Sequence, residues 1–164
     1  MTGNVVPFQP RSSDQITPTS SLTNIDLNDR IDPSGRDATT KKRNQLSALY
    51  KLLNEVYDQS KYPDWDGDGA EAVALSTYQL ATRLILCLPQ DLENPNILAD
   101  SDGYIEFEWY REGSSFSIYV TGTGVMLYAA YYSPNDRMSG RFSFKDKFPK
   151  HLVPFIQRVL KNVE

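Results

Sequence analysis

Alternating apolar and polar residues in the second half of the chain constrain its fold more than any other feature. In YIEFEWY, residues 104–110, the side chains of Ile105, Phe107 and Trp109 alternate with two glutamates. This two-residue period is that of a β-strand with one buried face. Three more runs of strand character follow, separated by turns that contain glycine: SFSIYV at 115–120, VMLYAAYY at 125–132 and RFSFK at 141–145. Short turns between such strands predict a four-stranded antiparallel meander.

Helical periodicity lies on both sides of the predicted strands. Apolar residues recur every three or four positions over Thr39–Asp58 and Ala70–Leu88, and again in a segment that starts between Pro149 and Pro154 and runs to the C-terminus. This spacing gathers apolar side chains on one stripe of a helix. The order of elements predicts an α+β fold with two N-terminal helices, a four-stranded antiparallel meander and a C-terminal helix packed on the sheet.

The first part of the chain has a different composition. Residues 1–37 are rich in Ser, Thr, Pro, Asn and Asp and show neither helical nor strand periodicity. We predict a disordered tail there and a single α+β domain over residues 38–164. Within the tail, VVPFQPR at Val5–Arg11 is apolar and aromatic. Composition favours an uncommitted tail over a short peptide that docks on a partner in extended form.

The charge and hydropathy of the chain limit its partners. The formal net charge is −4, whereas binding to nucleic acid without sequence preference needs clustered Lys and Arg. One basic cluster, Lys41, Lys42 and Arg43, is more simply interpreted as a solvated helix end, so nucleic acid is not a favoured partner. No apolar run reaches the length of a membrane span, and the N-terminus has no apolar core of signal-peptide length. We expect a cytoplasmic protein with no membrane partner.

Few residues of this chain are suited to catalysis. His151 is the only histidine and Cys87 the only cysteine, so a Ser-His-Asp or Cys-His site would depend on His151 and a multi-histidine zinc site is excluded. Cys87 lies on an apolar helical face, as a core thiol does. Glu106 and Glu108 point to the same side of one strand, but charges are expected on an outward face. The sequence favours a protein that is not an enzyme and needs no cofactor.

The segment DWDGDGAEAVAL matches the front half of a calcium-binding EF-hand loop. Asp64, Asp66 and Asp68 occupy positions 1, 3 and 5 of such a loop, and a glycine follows at position 6. Position 12 is normally a glutamate that supplies two ligand oxygens, and here it is Leu75. A metal-binding module or metal-dependent enzyme that uses these three aspartates and Glu71 is therefore the alternative interpretation.

A structural interpretation accounts for more residues of the same segment. Gly67 and Gly69 permit the backbone angles of a tight turn. Asp66 or Asp68 is placed to cap the second helix. Trp65 offers a large apolar surface that anchors the turn against the core. We favour this interpretation, in which the segment is the entry to a helix.

The segment is also part of a wider pattern. YPDWDGDGA at 62–70 is followed by an alanine-rich helix, by LPQDLENP and by DGYIEFEW at 102–109. This combination resembles a family of small, largely uncharacterised bacterial proteins whose signature joins a Trp-Asp-Gly-x-Gly-Ala turn to an Asp-Gly-x-Ile-x-x-x-Trp strand. The resemblance covers about residues 62–132 and implies an architecture but no established activity. The positions that carry this structural motif are Trp65, Asp66, Gly67, Gly69 and Trp109.

Tyrosines are concentrated in the predicted sheet. If they are exposed together they form the amphipathic surface typical of protein interfaces; the alternative is that the last helix or a loop covers them. The candidate partner surface consists of Tyr104, Tyr110, Tyr119, Tyr128 and Tyr132. We favour a small cytoplasmic protein-interaction domain with an antitoxin-like, immunity-like or adaptor role. Its expected partner is another protein, such as the product of a neighbouring gene, and a homo-oligomer is compatible with the same surface.

Overall fold

The order of helices and strands confirms the predicted α+β fold. The computed structural model describes residues 33–161, which belong to one compact unit of the chain, Pro33–Glu164. A 3-10 turn at Lys150–Leu152 leads into the last helix. The elements of this part are α1 (Pro33–Ser60), α2 (Leu75–Cys87), β1 (Asn96–Ala99), β2 (Ile105–Arg111), β3 (Ser114–Val120), β4 (Val125–Ser133), β5 (Asp136–Ser143) and α3 (Val153–Lys161).

Some predictions fall outside the described residues. Of the tail predicted for residues 1–37, residues 1–32 lie outside the described part of the chain. The apolar peptide Val5–Arg11 lies outside it as well. Residues 162–164, at the end of the predicted last helix, also lie outside. The first helix starts earlier than the predicted Thr39, because α1 already begins at Pro33. Proline is well tolerated at the first position of a helix, where its missing N–H removes no intrahelical hydrogen bond.

The sheet has one strand more than predicted. Its strands are all antiparallel and lie in chain order, β1-β2-β3-β4-β5. The strand that the sequence did not reveal is β1, which has four residues, of which Ile97 is the buried one. So short a segment shows almost no alternation. Its pairing with β2, where Ile97 lies opposite Phe107, is a tertiary contact that local sequence does not encode.

The last strand also begins earlier than predicted. The turn after β4 is tight, since Ser133 already pairs with Asp136, and most of the predicted long turn is strand. Gly140 lies opposite Tyr128 in this pairing. A Cβ atom at Gly140 would be 2.5 Å from the Tyr128 hydroxyl oxygen. The glycine that resembles a turn residue in the sequence therefore makes room for an aromatic ring across the strands.

One face of the sheet, here called the inner face, carries the core. Packed against it are the buried side chains of α1, α2 and α3, for example Leu53, Leu84 and Ile156. Helix α1 contacts β1, while α2 and α3 contact β2 and β3. This core is why the meander and the helices form one unit. The fully or almost fully buried strand residues of the inner face are Ile97, Ile105, Phe107, Trp109, Phe116, Ile118, Val120 and Met126.

The second helix begins later than predicted. The amides of Glu71 and Val73 donate to the carbonyls of Ser101 and Ser60, each at 2.8 Å, so this stretch forms loop contacts rather than a helical turn. Helix α2 consequently starts at Leu75 instead of Ala70. In α3, proline 154 occupies the first turn, as the sequence predicted. Among the described helices, none combines the length and apolar character that crossing a membrane requires.

Candidate functional site

The aspartate loop, residues 64–70, is held together by hydrogen bonds between its own carboxylates and its own backbone amides. Asp64 adopts a left-handed conformation (φ 60°), and its Oδ1 accepts a hydrogen bond from the Gly69 amide at 2.9 Å. Asp66 Oδ1 accepts hydrogen bonds from the amides of Asp68 and Ala70, at 2.9 and 3.1 Å. These two amides hold the pKa of the Asp66 carboxyl below its usual value. Both carboxylates therefore fix the turn.

The loop does not cap helix α2, and Trp65 does not anchor the loop against the core. Both predictions are wrong. The residue before α2 is Ala74, which makes no side-chain cap, because the residues between the loop and the helix are used in contacts to other segments. Trp65 is half-buried and is not among the side chains packed on the core cluster. Its Nε1 donates to the Glu71 carbonyl oxygen at 3.1 Å. Trp65 thus closes the loop on itself.

The structure does not bring the candidate metal ligands together. Asp64 and Asp66 direct oxygens at backbone amides of their own loop. Across residues 33–161, no group of three or more His, Cys, Asp or Glu side chains is placed to hold a metal ion. Asp68 and Glu71, the other two candidates, are exposed. A calcium site needs six to eight oxygens that converge on one point, and this loop has a different organisation.

The two parts of the sequence motif are in contact. The amide of Glu71 donates to the carbonyl of Ser101, and Gly103 lies so close to Ala72 that a Cβ atom would be 2.9 Å from its carbonyl oxygen. Trp109 is buried, and its Nε1 donates to the Glu93 carbonyl at 2.9 Å. The motif residues therefore join the aspartate loop, the segment before β1 and the start of β2, which is a structural role.

The face of the sheet opposite the core, here called the outer face, is partly exposed. Alternate residues of each strand point to it, and several are large: Tyr110 is 54 % exposed and Leu127 36 %. Its residues from the four longer strands are Glu106, Glu108 and Tyr110 on β2, Ser115, Ser117 and Tyr119 on β3, Leu127, Ala129 and Tyr131 on β4, and Arg137, Ser139 and Arg141 on β5.

Charges of opposite sign lie on opposite sides of the outer face. Glu106 and Glu108 belong to β2, whereas Arg137 and Arg141 belong to β5. Because neighbouring strands are about 4.8 Å apart, β2 and β5 are separated by roughly 14 Å. That distance exceeds the screening length of about 8 Å in physiological salt. Among the side chains of residues 39–161, none of these four residues forms a salt bridge.

A shallow concavity of about 480 Å³ lies between the charged strands. Small side chains, such as those of Ser117 and Ala129, line it, and Tyr119 and Tyr131 also border it. The guanidinium of Arg137 lies 5.1 Å from the centre of the Tyr131 ring, a cation–π distance. Burial, together with the negative charge of Glu106, raises the pKa of the Tyr119 hydroxyl.

The predicted tyrosine surface is only partly the outer face. Tyr110 and Tyr119 lie on it, and Tyr104 borders a separate concavity near the loop that follows β3. The predictions for Tyr128 and Tyr132 are wrong, because both lie on the inner face of β4 together with Met126 and Ala130. Tyr128 stacks on Phe116. Tyr132 is 8 % exposed and donates its hydroxyl to the Phe155 carbonyl at 3.0 Å.

The sequence missed several residues of the outer face. Tyr131, Arg137 and Ser139 belong to it, but β4 is apolar on both faces and most of β5 resembled a turn. Arg141 and Ser117 share this face with Glu106 and Glu108. Arg141 does not pair with these glutamates, since two strands separate them. Only the register of the whole sheet reveals this arrangement.

The remaining sequence candidates lie elsewhere. Cys87 Sγ donates to the Asp146 carbonyl oxygen at 3.2 Å, and burial raises the pKa of this thiol, which keeps it protonated and a poor nucleophile. His151 is exposed in the turn before α3. The basic cluster at residues 41–43 is exposed on α1, well inside the helix rather than in its first turn. None of these places a nucleophile beside a base.

Comparison with known proteins identified no relative of this chain. No protein-family model, no curated protein and no solved structure matches the chain.

Proposed function

We propose that this chain is a small protein-interaction domain that binds its partner through the outer face of the sheet. One observation carries the proposal: four outward charges, Glu106, Glu108, Arg137 and Arg141, have no ion-pair partner within the described residues. They flank a concavity bordered by Tyr119 and other aromatic or small residues. Tyrosine and arginine are the residue types enriched at protein interfaces.

The proposal includes a cytoplasmic role of the antitoxin-like, immunity-like or adaptor kind, with another protein as partner. The net charge of −4 supports it, because an acidic chain attracts basic proteins rather than nucleic acid. The resemblance to small bacterial proteins supports a bacterial origin, and a partner encoded by a neighbouring gene is part of the proposal itself. The raised pKa of the Cys87 thiol, whose Sγ donates to a backbone carbonyl, makes it a poor nucleophile and favours binding over catalysis.

The test is purification of the full chain from its native cells, followed by mass measurement of the intact complex. We expect a stoichiometric protein partner, which includes a second copy of the chain. Ala129→Arg places a long cation in the centre of the outer face and should abolish the complex. Gln79→Arg on the exposed side of α2 is the matched control and should retain it. A monomeric chain without a partner, or a complex that survives Ala129→Arg in a folded protein, contradicts the proposal.

The metal-binding alternative has less support. It would use Asp64, Asp66, Asp68 and Glu71, but two of these carboxylates already accept backbone hydrogen bonds. Calorimetric titration with calcium, magnesium and manganese at millimolar concentration decides between the two functions. Heat of binding together with a rise in melting temperature that Asp68→Asn abolishes would favour the metal alternative.

A further inference from the structure

We propose that the partner seated on the outer face is a second copy of this chain, packed sheet against sheet. The two copies are related by a two-fold axis that lies between the sheets, parallel to the strands and midway between β3 and β4. This inference rests on the proposed function, because both assign the outer face to protein binding. The observation behind it is that one face carries acidic residues on β2 and basic residues on β5, two strands that such a rotation exchanges.

The strand register fixes which side chains meet. Cross-strand neighbours form one row, Glu106–Tyr119–Leu127–Arg141, and another row, Tyr110–Ser115–Tyr131–Arg137. Rotation about the proposed axis exchanges β2 with β5 and β3 with β4. Glu106 then faces Arg141 of the second copy. Tyr110 faces Arg137 of the second copy, which allows a cation–π contact.

The charge pattern selects this orientation over the other symmetric ones. A two-fold axis perpendicular to the strands would place β2 on β2, so that Glu106 and Glu108 of both copies would repel each other. Antiparallel pairing of the two β5 edges would bring Arg137 and Arg141 of one copy beside those of the other. Like charges directly opposite each other destabilise such pairing. Only the axis parallel to the strands places acidic strands on basic ones.

Side-chain sizes are compatible with the proposed packing. Packed sheets lie about 10 Å apart, which requires small side chains where the backbones approach each other most closely. Ser117 and Ala129 lie at the centre of the face and are opposite each other after the rotation. Ser115 is opposite Tyr131 of the second copy, so a large side chain meets a small one.

The size of the face sets the expected strength. Strands of seven residues that rise about 3.3 Å per residue, in a sheet four strands wide at about 4.8 Å spacing, give a flat area of roughly 440 Å² per copy. A typical specific interface buries about 800 Å² per partner. We therefore expect a weak, reversible dimer that forms in the micromolar to millimolar range.

Charge reversal provides the test. The double variant E106K/E108K makes the outer face wholly basic, and R137E/R141E makes it wholly acidic. In sedimentation equilibrium from micromolar to millimolar concentration, the wild type should dimerise and each variant alone should remain monomeric. Mixing the two variants should restore a dimer of one copy of each. This rescue shows that neither variant failed to fold.

A control and the contrary results complete the design. The variant K51E/E55K reverses an exposed pair on α1 and should dimerise like the wild type. A wild type that stays monomeric, variants that dimerise unmixed, or a mixture that stays monomeric each overturns the inference. The wild type could instead be monomeric and bind a different protein, and the Ala129→Arg variant could lose that protein. This result overturns the inference but leaves the proposed function standing. If the chain binds no partner of any kind, the dimer inference and the proposed function are both wrong.

Discussion

At the scale of single residues, glycines with the same backbone angle differ in what surrounds them. Gly103 and Gly113 have φ values of 75° and 77°. A Cβ atom at Gly103 would meet the Ala72 carbonyl oxygen at 2.9 Å, whereas nothing lies within 4 Å at Gly113. The first glycine is therefore needed for conformation and for close contact with the aspartate loop, and the second for conformation alone.

This pair gives a matched stability prediction. Gly113→Ala should lower the free energy of unfolding by about 1 kcal/mol, the strain of a left-handed alanine. Gly103→Ala adds a collision with backbone and should lower it by at least about 2 kcal/mol. Urea denaturation of both variants measures the difference. Equal losses would mean that the aspartate loop moves away from β2 without resistance.

Asp66 should make the stability of the loop depend on pH. Two amides lower the pKa of its carboxyl in the folded chain, so the stability that it contributes is present above its unfolded pKa of about 3.9 and is lost as pH falls through the lower folded value. We expect Asp66→Asn to reduce the melting temperature at neutral pH. On acidification, the melting temperature of this variant should fall less than that of the wild type. Asp68→Asn is the control, because no hydrogen bond to the Asp68 carboxylate occurs within the described residues. Identical melting curves for the two variants at every pH would contradict this role.

At the scale of elements, long periodic segments were predictable and short or paired ones were not. The sequence predicted β2 and the core stripe of α3 because each carries enough alternation or helical spacing to be recognised locally. Strand β1 was missed since its four residues are defined by pairing with β2. The start of α2 was placed too early because the preceding amides bond to distant segments, which no local pattern records.

Helix α3 offers a prediction about how the elements stabilise one another. Ile156 is fully buried in the core cluster, while the neighbouring Gln157 is only half-buried. Ile156→Ala should lower the free energy of unfolding by about 2–5 kcal/mol through lost burial and a cavity. Gln157→Ala should change it little, because alanine is a good helix former. Chemical denaturation followed by circular dichroism compares the two. A small loss at Ile156 would show that α3 does not contribute to the core.

At the scale of the whole molecule, the candidate site arises from the register of the sheet. The sequence indicated that Glu106 and Glu108 share an outward face, and it indicated tyrosines nearby. It could not place Arg137 opposite Tyr131, nor assign Tyr128 to the core, because both depend on how β4 and β5 pair. The separation of acidic and basic strands by two strands of small and aromatic residues is therefore a property of the assembled sheet.

Amide hydrogen exchange distinguishes the two ways in which such a sheet can associate. Strands β2, β3 and β4 are paired on both sides, so their amides should exchange slowest, whereas β1 and β5 are the edges and should exchange faster. Face-to-face packing adds no backbone hydrogen bonds, so the β5 amides that point away from β4 should remain unprotected when the concentration rises through the dimer range. Association through the β5 edge would instead pair these amides and slow their exchange strongly. Protection that appears at the β5 edge with concentration would exclude the face-to-face dimer, because only a strand added at that edge can supply the missing acceptors.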